Sequence, residues 1–425
     1  MRLILFDGPA AKRANFYPLS LNRPIWELRC GMTSLGRKLI DQTGLKEVAC
    51  FVEPYMAEAY KARAAFRVND PATLAGEDLL IVNARVKAEG FRAAAKGPSV
   101  VAVDADGDVL YARLGKADLA KLPGASLEAL LEAAKAVLAK ADAPATWNYT
   151  WDLVLANPEQ LRKDFAAAGR SGIEGAVEQP SAIRGAAKDI YIARGATVHP
   201  MVVFDAANGP IYIDEGVEIH PFTRVEGPCY VGRKSILLGA KCREGNSIGE
   251  MCRVGGEVEE SIIQGYSNKY HDGFLGHAYV GEWVNLGAMT TNSDLKNDYS
   301  SVSVVLDGKT PIDTGSTKVG SLIGDHTKTS IGTLFNTGSY VGAMCLIMTT
   351  GKVLAKFIPS FAWLLEGAVT KGFGKGKLYE TARVAMSRRK CQWTAAEEAM
   401  WDAIFEITAP ARDEAVKKGR RAMMR

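Results

Sequence analysis

The sequence predicts an α/β domain, then a parallel β-helix, then a helical C-terminal segment. Three observations lead to this fold class. Residues 1 to about 180 mix apolar runs of strand length with Ala- and Leu-rich stretches. Residues 185–358 carry aliphatic side chains at a spacing of six, and the chain from residue 359 onward is helical in pattern and basic. We therefore expect three domains, at residues 1–180, 185–358 and 359–425.

The composition excludes several classes of protein. Of the 425 residues, 47% are hydrophobic and 24% are charged, which is typical of a folded globular chain. A net charge of +4 is too small to indicate a nucleic-acid partner. No uncharged apolar stretch reaches the ~18 residues that a membrane span needs, and Asp7 interrupts any signal-peptide core. The seven cysteines form no Cys-x-x-Cys pair. We expect a cytoplasmic protein without a membrane partner.

Four continuous apolar runs in the first domain have the length of buried strands. They lie at residues 3–6, 48–52, 79–82 and 100–103. Runs without polar alternation suit strands that are covered on both faces, as in an α/β sheet. Residues 56–66 and 125–141 are predicted helices because they are rich in Ala, Leu, Lys and Glu, and Ser126 is a candidate N-terminal cap for the second.

The second domain repeats with a period of six residues. This period is neither that of a helix nor that of a strand, and it is typical of a β-helix built from hexapeptides. Each flat face then takes one hexapeptide, whose aliphatic residue points inward. A strand-rich domain with coincidental spacing is the alternative. The series consists of Ile213, Ile219, Val225, Val231 and Leu237, then Ile248 and Val254, then Val280 and Leu286, and then Ile323, Thr329, Phe335, Val341 and Ile347.

The C-terminal segment is predicted to be helical. From residue 366 to residue 425 it holds 13 Lys or Arg against 8 Asp or Glu. Thr394 and Glu397 form a capping box in front of an amphipathic set that includes Trp401. We expect this helix to pack on the body of the protein or on a neighbouring subunit, rather than to bind nucleic acid.

The chemistry of the β-helix is predicted to centre on His271. Two of the five histidines, His271 and His277, lie in a stretch that interrupts the hexapeptide pattern. An imidazole titrates near neutrality and can take a proton from an attacking amine or hydroxyl. Asn285 adds an amide that can bind a sugar or a carbonyl. The alternative is that His271 only caps a turn, and His277 is interpreted as a surface or packing residue.

The spacing of His271, Gly276 and Asn285 resembles the acetyl-transfer site of the bifunctional N-acetylglucosamine-1-phosphate uridylyltransferase/glucosamine-1-phosphate acetyltransferase family. The resemblance implies a left-handed β-helix, a homotrimer, acetyl-CoA as a substrate and His271 as the general base. It further implies that Arg243 holds the sugar phosphate and that Ala288 lies beside the thioester. Lys328, Thr329 and Asn336 match later coils that bind coenzyme A.

The resemblance extends over residues 1–363. A branch of sugar nucleotidyltransferases with this architecture shares motifs that stand here at residues 18–24, 209–213, 254–258, 268–276 and 358–363. Two departures concern the acceptor. Glu259 and Glu260 stand near the place of a phosphate-binding lysine, and Phe274 replaces a tyrosine. Two carboxylates repel a phosphate, so we expect an amino or hydroxyl sugar other than glucosamine-1-phosphate as the acceptor.

The first domain is similar to sugar nucleotidyltransferases, which bind a sugar phosphate, a nucleoside triphosphate and Mg²⁺. The loop that starts at Gly8 and contains Arg13 matches their phosphate loop without its second glycine. Arg23 stands where those enzymes carry a lysine. Asn83 stands where they carry the metal-binding Asp, although a neutral amide is a weaker ligand for a hard cation. Asp152, in a Trp-Asp pair, is a candidate metal ligand.

Two functions of different classes remain open from the sequence. The first is a sugar-activating enzyme with nucleotidyl transfer at the N-terminus, acetyl transfer on the β-helix, or both. The second is a binding or regulatory protein whose altered nucleotidyltransferase site senses a sugar nucleotide.

Overall fold

The computed structural model describes residues 1–92, 96–348 and 351–424, and they form an α/β domain, a long β-helix and a group of C-terminal helices. This is the predicted order. The β-helix is longer than the expected 185–358, because its first strand begins at Gly172 and its last ends at Leu365. Among the described residues, no helix is long and apolar enough to cross a membrane.

The α/β domain is built on a seven-stranded sheet of order β5-β4-β1-β6-β8-β7-β9. The β5, β4, β1 and β6 strands run parallel, and β8 is antiparallel to both of its neighbours. All four predicted runs form strands. The elements are β1 (Arg2–Phe6), α1 (Ala10–Ala14), β2 (Arg29–Cys30), β3 (Thr33–Ser34), α2 (Leu35–Thr43), β4 (Val48–Phe51), α3 (Ala57–Lys61), β5 (Arg67–Val68), β6 (Leu79–Asn83), β7 (Val100–Val103), β8 (Val109–Leu114), α4 (Lys116–Leu119), α5 (Leu127–Val137), β9 (Ala139–Lys140) and α6 (Thr150–Ala168).

The β-helix follows α6 as a stack of parallel coils with short strands. Its strands are β10 (Gly172–Ile173), β11 (Ala176–Val177), β12 (Ala182–Arg184), β13 (Ile190–Ile192), β14 (Thr197–Val198), β15 (Val203–Asp205), β16 (Ile211–Ile213), β17 (Glu218–Ile219), β18 (Arg224–Glu226), β19 (Cys229–Val231), β20 (Ile236–Cys242), β21 (Asn246–Glu250), β22 (Arg253–Glu259), β23 (Ile262–Gly265), β24 (Asn268–Lys269), β25 (Phe274–Gly276), β26 (Tyr279–Glu282), β27 (Thr291–Asn292), β28 (Ser303–Val305), β29 (Pro311–Asp313), β30 (Leu322–Ile323), β31 (Lys328–Thr329), β32 (Leu334–Phe335), β33 (Tyr340–Val341), β34 (Leu346–Met348), β35 (Phe357–Ile358) and β36 (Trp363–Leu365).

Strand pairing gives the β-helix three faces. The first face is the continuous ladder from β10 through β13, β16, β19, β21, β23, β26, β30 and β33 to β35. The second face includes β17, β24 and β31, and the third includes β18, β25 and β32. Every residue of the predicted period-six series is buried in the core, so that prediction is confirmed. An antiparallel hairpin, β28 with β29, leaves the stack between two coils.

The C-terminal chain returns along the β-helix to the α/β domain. Strand β37 (Ala368–Thr370) pairs antiparallel with β36 and is followed by α7 (Gly374–Ser387), α8 (Ala395–Ile407) and α9 (Ala409–Met423). The predicted cap is present, since the Thr394 hydroxyl accepts a hydrogen bond from the Glu397 amide at 3.1 Å. Trp401 is fully buried, and α8 packs against α3. The expected packing of this segment on the body is therefore what the structure shows.

Candidate functional site

His271 lies on the edge of the β-helix where the second face turns into the third. The turn joins β24 to β25. Its backbone carbonyls accept hydrogen bonds, that of His271 from the Lys269 ammonium and that of Asp272 from the Met289 amide. The imidazole is exposed. Among the described residues it has no hydrogen-bond partner, and its ring makes an edge contact with Tyr270 at a centroid distance of 5.0 Å. An exposed and unengaged imidazole is free to accept a proton from a bound ligand.

The register relates three of the predicted acetyl-transfer residues, His271, Asn285 and Ala288, on two adjacent coils. Asn285 pairs with Asn268 in the coil on one side and with Lys328 in the coil on the other. His271 and Ala288 each stand three residues after the paired asparagines, so they occupy equivalent positions on adjacent coils. Asn268 Nδ2 also donates to Asn285 Oδ1 at 3.2 Å. The structure thus places a histidine, a small residue and an amide at one edge.

Lys328 and Thr329 lie one coil further along the same face. The Lys328 ammonium donates to the carbonyls of Trp283 and His326, and burial lowers the pKa of Lys328 to about 7. Thr329 points inward and shares a hydrogen bond of 2.8 Å with the Thr290 hydroxyl. Thr329 therefore supports the coil from within, whereas Lys328 borders the surface of this face.

Arg243 and Asn336 lie on the third face, beyond the edge that carries His271. Arg243 Nη1 donates to Glu259 at 2.6 Å, and Lys318 Nζ lies 3.5 Å from the same carboxylate. Asn336 Oδ1 accepts a hydrogen bond from the next backbone amide at 2.9 Å. The repulsive effect expected of Glu259 is therefore offset by two cations, and the arginine expected to hold a sugar phosphate already has a carboxylate partner.

Of the two interpretations of His277, a surface or a packing residue, the structure agrees with the second. It is buried, with Nδ1 at 2.8 Å from Asp294 and Nε2 at 3.3 Å from Glu260. Burial alone would lower the pKa of His277, but the two carboxylates raise it to about 9. His277 is therefore an imidazolium at neutral pH, and its positive charge lies between the carboxylates of Glu260 and Asp294.

Lys269 is a buried residue next to the site that sequence analysis missed. It stands in the inward column of the second face, between Val254 and Leu286, where the other coils carry apolar or small residues. Its ammonium donates to the carbonyls of Gly255 and His271, and burial lowers its pKa to about 8. The lysine at an inward position was the signal that the sequence offered.

The C-terminal chain covers the face that carries Asn285. Helix α7 and the residues after it enclose a cavity of about 250 Å³ that Asn285 and Lys328 also line. Arg389 Nη2 donates to Asn268 Oδ1 at 3.1 Å, and Arg388 lines the same cavity. Burial lowers the pKa of Arg253, and the charge of Arg389 lowers it further. Within the described chain none of these four basic side chains forms an ion pair: Arg253, Lys328, Arg388 and Arg389.

In the α/β domain, Gly8 and Asn83 meet at the carboxyl ends of β1 and β6. A Cβ atom on Gly8 would lie 2.4 Å from Asn83 Nδ2, so only glycine fits there. A cavity of about 250 Å³ opens beside Gly8 and is also lined by Glu53, Asn69 and Ser126. Ligands of open α/β sheets bind at this end of the strands.

Arg13 does not lie in an open phosphate site. Its guanidinium is buried and donates to Asp7 at 3.2 Å and to Tyr55 at 2.7 Å. Burial raises the pKa of Asp7 to about 7, against the opposing charge of Arg13. Lys12, one residue earlier, forms an ion pair with Asp106. Arg13, which was expected to balance a triphosphate, is thus held by a carboxylate of the protein, and so is the neighbouring Lys12.

Arg23 belongs to the contact between the domains. Its guanidinium is buried, with Nη1 at 3.0 Å from Asp325 and Nη2 at 2.9 Å from Glu282, both on the β-helix. Asn22 Nδ2 donates to Asp325 as well, at 3.0 Å. The expected role of Arg23 in binding a nucleotide does not agree with this placement, because its charge is used inside the protein.

The residues suggested for Mg²⁺ do not fit that ion. Asp152 Oδ2 accepts from the amides of Asn148 and Tyr149, at 2.8 and 3.1 Å, and so caps α6. Asn83 is fully buried, its Oδ1 accepts from the Arg85 amide at 3.0 Å, and its Nδ2 donates to Val109. A hard cation prefers charged oxygens that are free to turn toward it.

An α/β domain with a cavity at its strand ends, joined to a β-helix with a histidine-bearing edge, is the architecture that these geometries define. Residues 3–171, which span the α/β domain and α6, match the family model described as sugar nucleotidyl transferase.

The chain is similar to bifunctional enzymes over part of its length. It is 35% identical over 107 residues to the Bifunctional protein GlmU of Jannaschia sp., covering 24% of this chain and 23% of the relative. It is 34% identical over 150 residues to the Bifunctional sugar-1-phosphate nucleotidylyltransferase/acetyltransferase of Sulfurisphaera tokodaii, covering 33% and 35%. The chain therefore spans about a quarter to a third of these relatives. A crystal structure of a UDP-N-acetylglucosamine acyltransferase is similar over 58% of this chain and 95% of its own, at 15% identity and a TM-score of 0.25.

Proposed function

We propose that this protein is an acetyl-CoA-dependent acetyltransferase that acts on an amino or hydroxyl sugar in nucleotide-sugar metabolism, a cytoplasmic process. The observation that supports the proposal is the coil register, in which His271 and Ala288 occupy equivalent positions on adjacent coils and Asn285 stands three residues before Ala288. An exposed imidazole beside a small residue leaves room for a thioester, and in this proposal the amide of Asn285 orients it.

The chemistry follows from the exposed imidazole. The acceptor amine or hydroxyl attacks the thioester carbonyl, the new C–N or C–O bond forms, and the C–S bond breaks to release the coenzyme thiolate. His271 takes the proton that the acceptor loses and then gives it to the thiolate. A positioned imidazole contributes roughly 10²–10⁴-fold in such a step.

The cluster of Arg253, Lys328, Arg388 and Arg389 supports binding of the coenzyme. The three arginines near this cavity repel one another unless an anion joins them, and a bound anion also favours the charged form of Lys328, whose pKa burial lowers to about 7. Coenzyme A carries phosphates, and a phosphate bound to these residues offsets that repulsion while its thioester extends along the face toward Ala288. The basic C-terminal segment then takes part in substrate binding.

The ion pair between Arg243 and Glu259 affects which acceptor the site can bind. Because Arg243 pairs with Glu259, which Lys318 also contacts, a sugar phosphate has to displace a carboxylate to reach the arginine. We therefore favour an acceptor that hydrogen-bonds to this mixed cluster through hydroxyl groups, and we rank glucosamine-1-phosphate below it.

Nucleotidyl transfer in the α/β domain is a second candidate, which the match to the sugar nucleotidyl transferase model supports. The inward pairing of Arg13 and Arg23 favours the alternative, in which the cavity beside Gly8 binds a sugar or a sugar nucleotide without reacting. In that case the domain delivers or senses the sugar, and acetyl transfer is the activity of the protein.

We further propose that the β-helix assembles into a homotrimer through the edge that carries His271. Large apolar side chains stand exposed where strands of the second face end, and rows of this kind mark interfaces. The acetyl-transfer site then lies between subunits. The row is formed by Met201, Phe222, Tyr270, Met289 and Ile331, which are between 44% and 75% exposed.

Two assays on the purified protein test these proposals. Thiol release from acetyl-CoA is followed with a panel of amino sugars, hydroxyl sugars and sugar phosphates, and pyrophosphate release is followed with nucleoside triphosphates, sugar phosphates and Mg²⁺. Thiol release that falls at least a hundredfold in His271→Ala supports acetyl transfer. If the wild-type protein accepts no acceptor, or the variant keeps its turnover, the catalytic interpretation of His271 is wrong. Pyrophosphate release would overturn the binding role of the first domain.

A further inference from the structure

Two histidines stand at equivalent positions of consecutive coils, far along the chain from His271. Strands β14 and β17 pair in parallel, with Val198 opposite Ile219, so the next residues, His199 and His220, lie side by side. Their ring centroids are 5.1 Å apart. Inward-pointing Val198 and Ile219 alternate with them, which turns both imidazoles outward.

Glu218 stands between the two rings. Its Oε1 lies 3.1 Å from Nε2 of His199 and 3.1 Å from Nε2 of His220. One ligand atom from each of the three residues lies within 4.8 Å of the other two. Small side-chain rotations bring these atoms to the spacing that three bonds of about 2.0–2.2 Å to one ion require.

The backbone holds this arrangement in place. The amide of His199 donates to the Ile219 carbonyl, and the amide of His220 donates to the Leu237 carbonyl, both at 2.9 Å. Each histidine is followed by a proline, Pro200 or Pro221, which restricts the preceding residue to an extended conformation. Such a framework places both imidazoles before any ligand arrives.

A second carboxylate stands behind the first histidine. Glu178 occupies the matching position one coil earlier, and its Oε1 lies 3.8 Å from Nδ1 of His199. Histidines that bind metals usually direct their second nitrogen to a carboxylate or carbonyl, which fixes the tautomer and the ring orientation. Glu178 is placed to do this once His199 Nε2 is engaged.

We propose that His199, Glu218 and His220 bind a divalent transition-metal ion such as Zn²⁺, with Glu178 as the residue that positions His199. Two imidazoles and one carboxylate suit zinc, cobalt and nickel better than Mg²⁺ or Ca²⁺, which prefer oxygen. The three side chains are between 30% and 41% exposed, so water or another ligand has access to a fourth position. The ion joins two successive coils through side chains.

The experiment is a titration of the full-length chain with Zn²⁺ by calorimetry after removal of metals with a chelator. We expect one ion per chain, and at least about tenfold weaker binding in both His199→Ala and His220→Ala. Co²⁺ gives a visible absorption spectrum that reports nitrogen ligation, and we expect it to change in the same variants. Glu178→Gln should weaken binding while leaving the stoichiometry at one.

Two control variants test whether the ion binds elsewhere. His271→Ala removes the exposed histidine on another coil, and Cys391→Ser removes the one cysteine that is partly exposed, the other six being buried. Neither should alter the titration. A chain that binds no zinc at micromolar concentration, or whose binding survives His199→Ala and His220→Ala, would overturn the proposal. Both variants are expected to fold, because the two side chains point to solvent, and circular dichroism checks this.

Discussion

Arg23 of the α/β domain and Asp325 of the β-helix form a fully buried ion pair that joins the two domains. The guanidinium is 1% exposed and the carboxylate 0% exposed. Asp325 also accepts hydrogen bonds from Asn22 at 3.0 Å and from the Glu282 amide at 3.1 Å, so its oxygens are well satisfied. The motif around Arg23, which resembles a substrate-binding segment, therefore serves to fix one domain on the other.

Replacing Arg23 should destabilise the protein strongly. Arg23→Ala leaves Asp325 buried without its cation, and breaking a buried pair from one side costs about 3–5 kcal/mol. Urea unfolding measures the change. Arg63→Ala is the matched control, because its pair with Glu27 is 43% and 25% exposed and should be worth less than about 1 kcal/mol. Equal stability of Arg23→Ala and wild type would show that the pair does not couple the domains.

The difference between expectation and structure at Arg23 has a physical reason. A sequence motif shows only which residue types stand at which spacing, and Arg23 has the spacing of the motif at residues 18–24. Its partner Asp325 lies some three hundred positions away, on a coil that the local pattern does not connect to it. By contrast, the period-six series could be predicted because each inward residue is fixed by the neighbours within its own coil.

Within the candidate site, too, residues that are close in sequence were predictable and partners from distant segments were not. His271, Asn285 and Ala288 were predicted from a motif spacing that lies within two successive coils, and the strand register of the structure relates the same residues to one another. The pairing of Glu259 with both Arg243 and Lys318 was not predictable, since Lys318 lies on the chain that returns from the β28–β29 hairpin. Nor did the sequence indicate that α7 would cover Asn285, because amphipathic periodicity shows that a helix packs without showing where.

His277 should make the stability of the protein depend on pH. Its folded pKa of about 9 lies above the ordinary value of 6.5, so the folded state holds a proton more tightly than the unfolded state. This contribution is fully present below pH 6.5 and is lost as the pH rises to 9. The free energy of unfolding should therefore fall over that window by a few kcal/mol. His277→Gln should flatten the slope, and a slope of the same size in this variant would contradict the assignment.

The arginines after α7 should affect the coenzyme rather than the chemical step. Arg388→Ala with Arg389→Ala is expected to raise KM for acetyl-CoA about tenfold, the cost of roughly 1.4 kcal/mol of phosphate binding, with little change in kcat. Acetyl-pantetheine, which lacks phosphates, should show no such rise. Arg383→Ala is the control, since Arg383 pairs with Glu398 away from the cavity. An equal rise with acetyl-pantetheine would indicate a loosened helix instead.

The apolar edge should decide the oligomeric state. Phe222→Lys and Ile331→Lys each place a charge in the proposed interface, where a desolvated ammonium is costly. Sedimentation should change from three times 45.8 kDa to 45.8 kDa. Val137→Lys, at an equally exposed apolar position on α5, should leave the trimer intact. If the wild-type protein sediments as a monomer at micromolar concentration, the trimer proposal is wrong and the apolar edge contacts something other than a second copy.

Lys269 should act on catalysis through His271 while opposing stability. Its buried ammonium holds the His271 carbonyl and thereby the turn that carries the imidazole. Lys269→Met keeps the volume but removes this donor, and a displacement of about 1 Å at a reacting group can cost roughly 10²-fold in rate. We expect kcat to fall by ten- to a hundredfold with KM for acetyl-CoA unchanged.

The thermal midpoint of Lys269→Met should rise or stay constant, because a thioether suits the interior of the coil better than a desolvated charge. Leu286→Met, at the same inward position of the next coil, is the matched control and should change neither kcat nor the midpoint appreciably. If Lys269 works by positioning His271, the double variant Lys269→Met with His271→Ala loses no more activity than His271→Ala alone, since the two residues act in one step. If the activity losses of the two single variants multiply in the double variant, Lys269 has a purely structural role. The same conclusion follows if kcat falls only as far as the folded fraction of Lys269→Met falls.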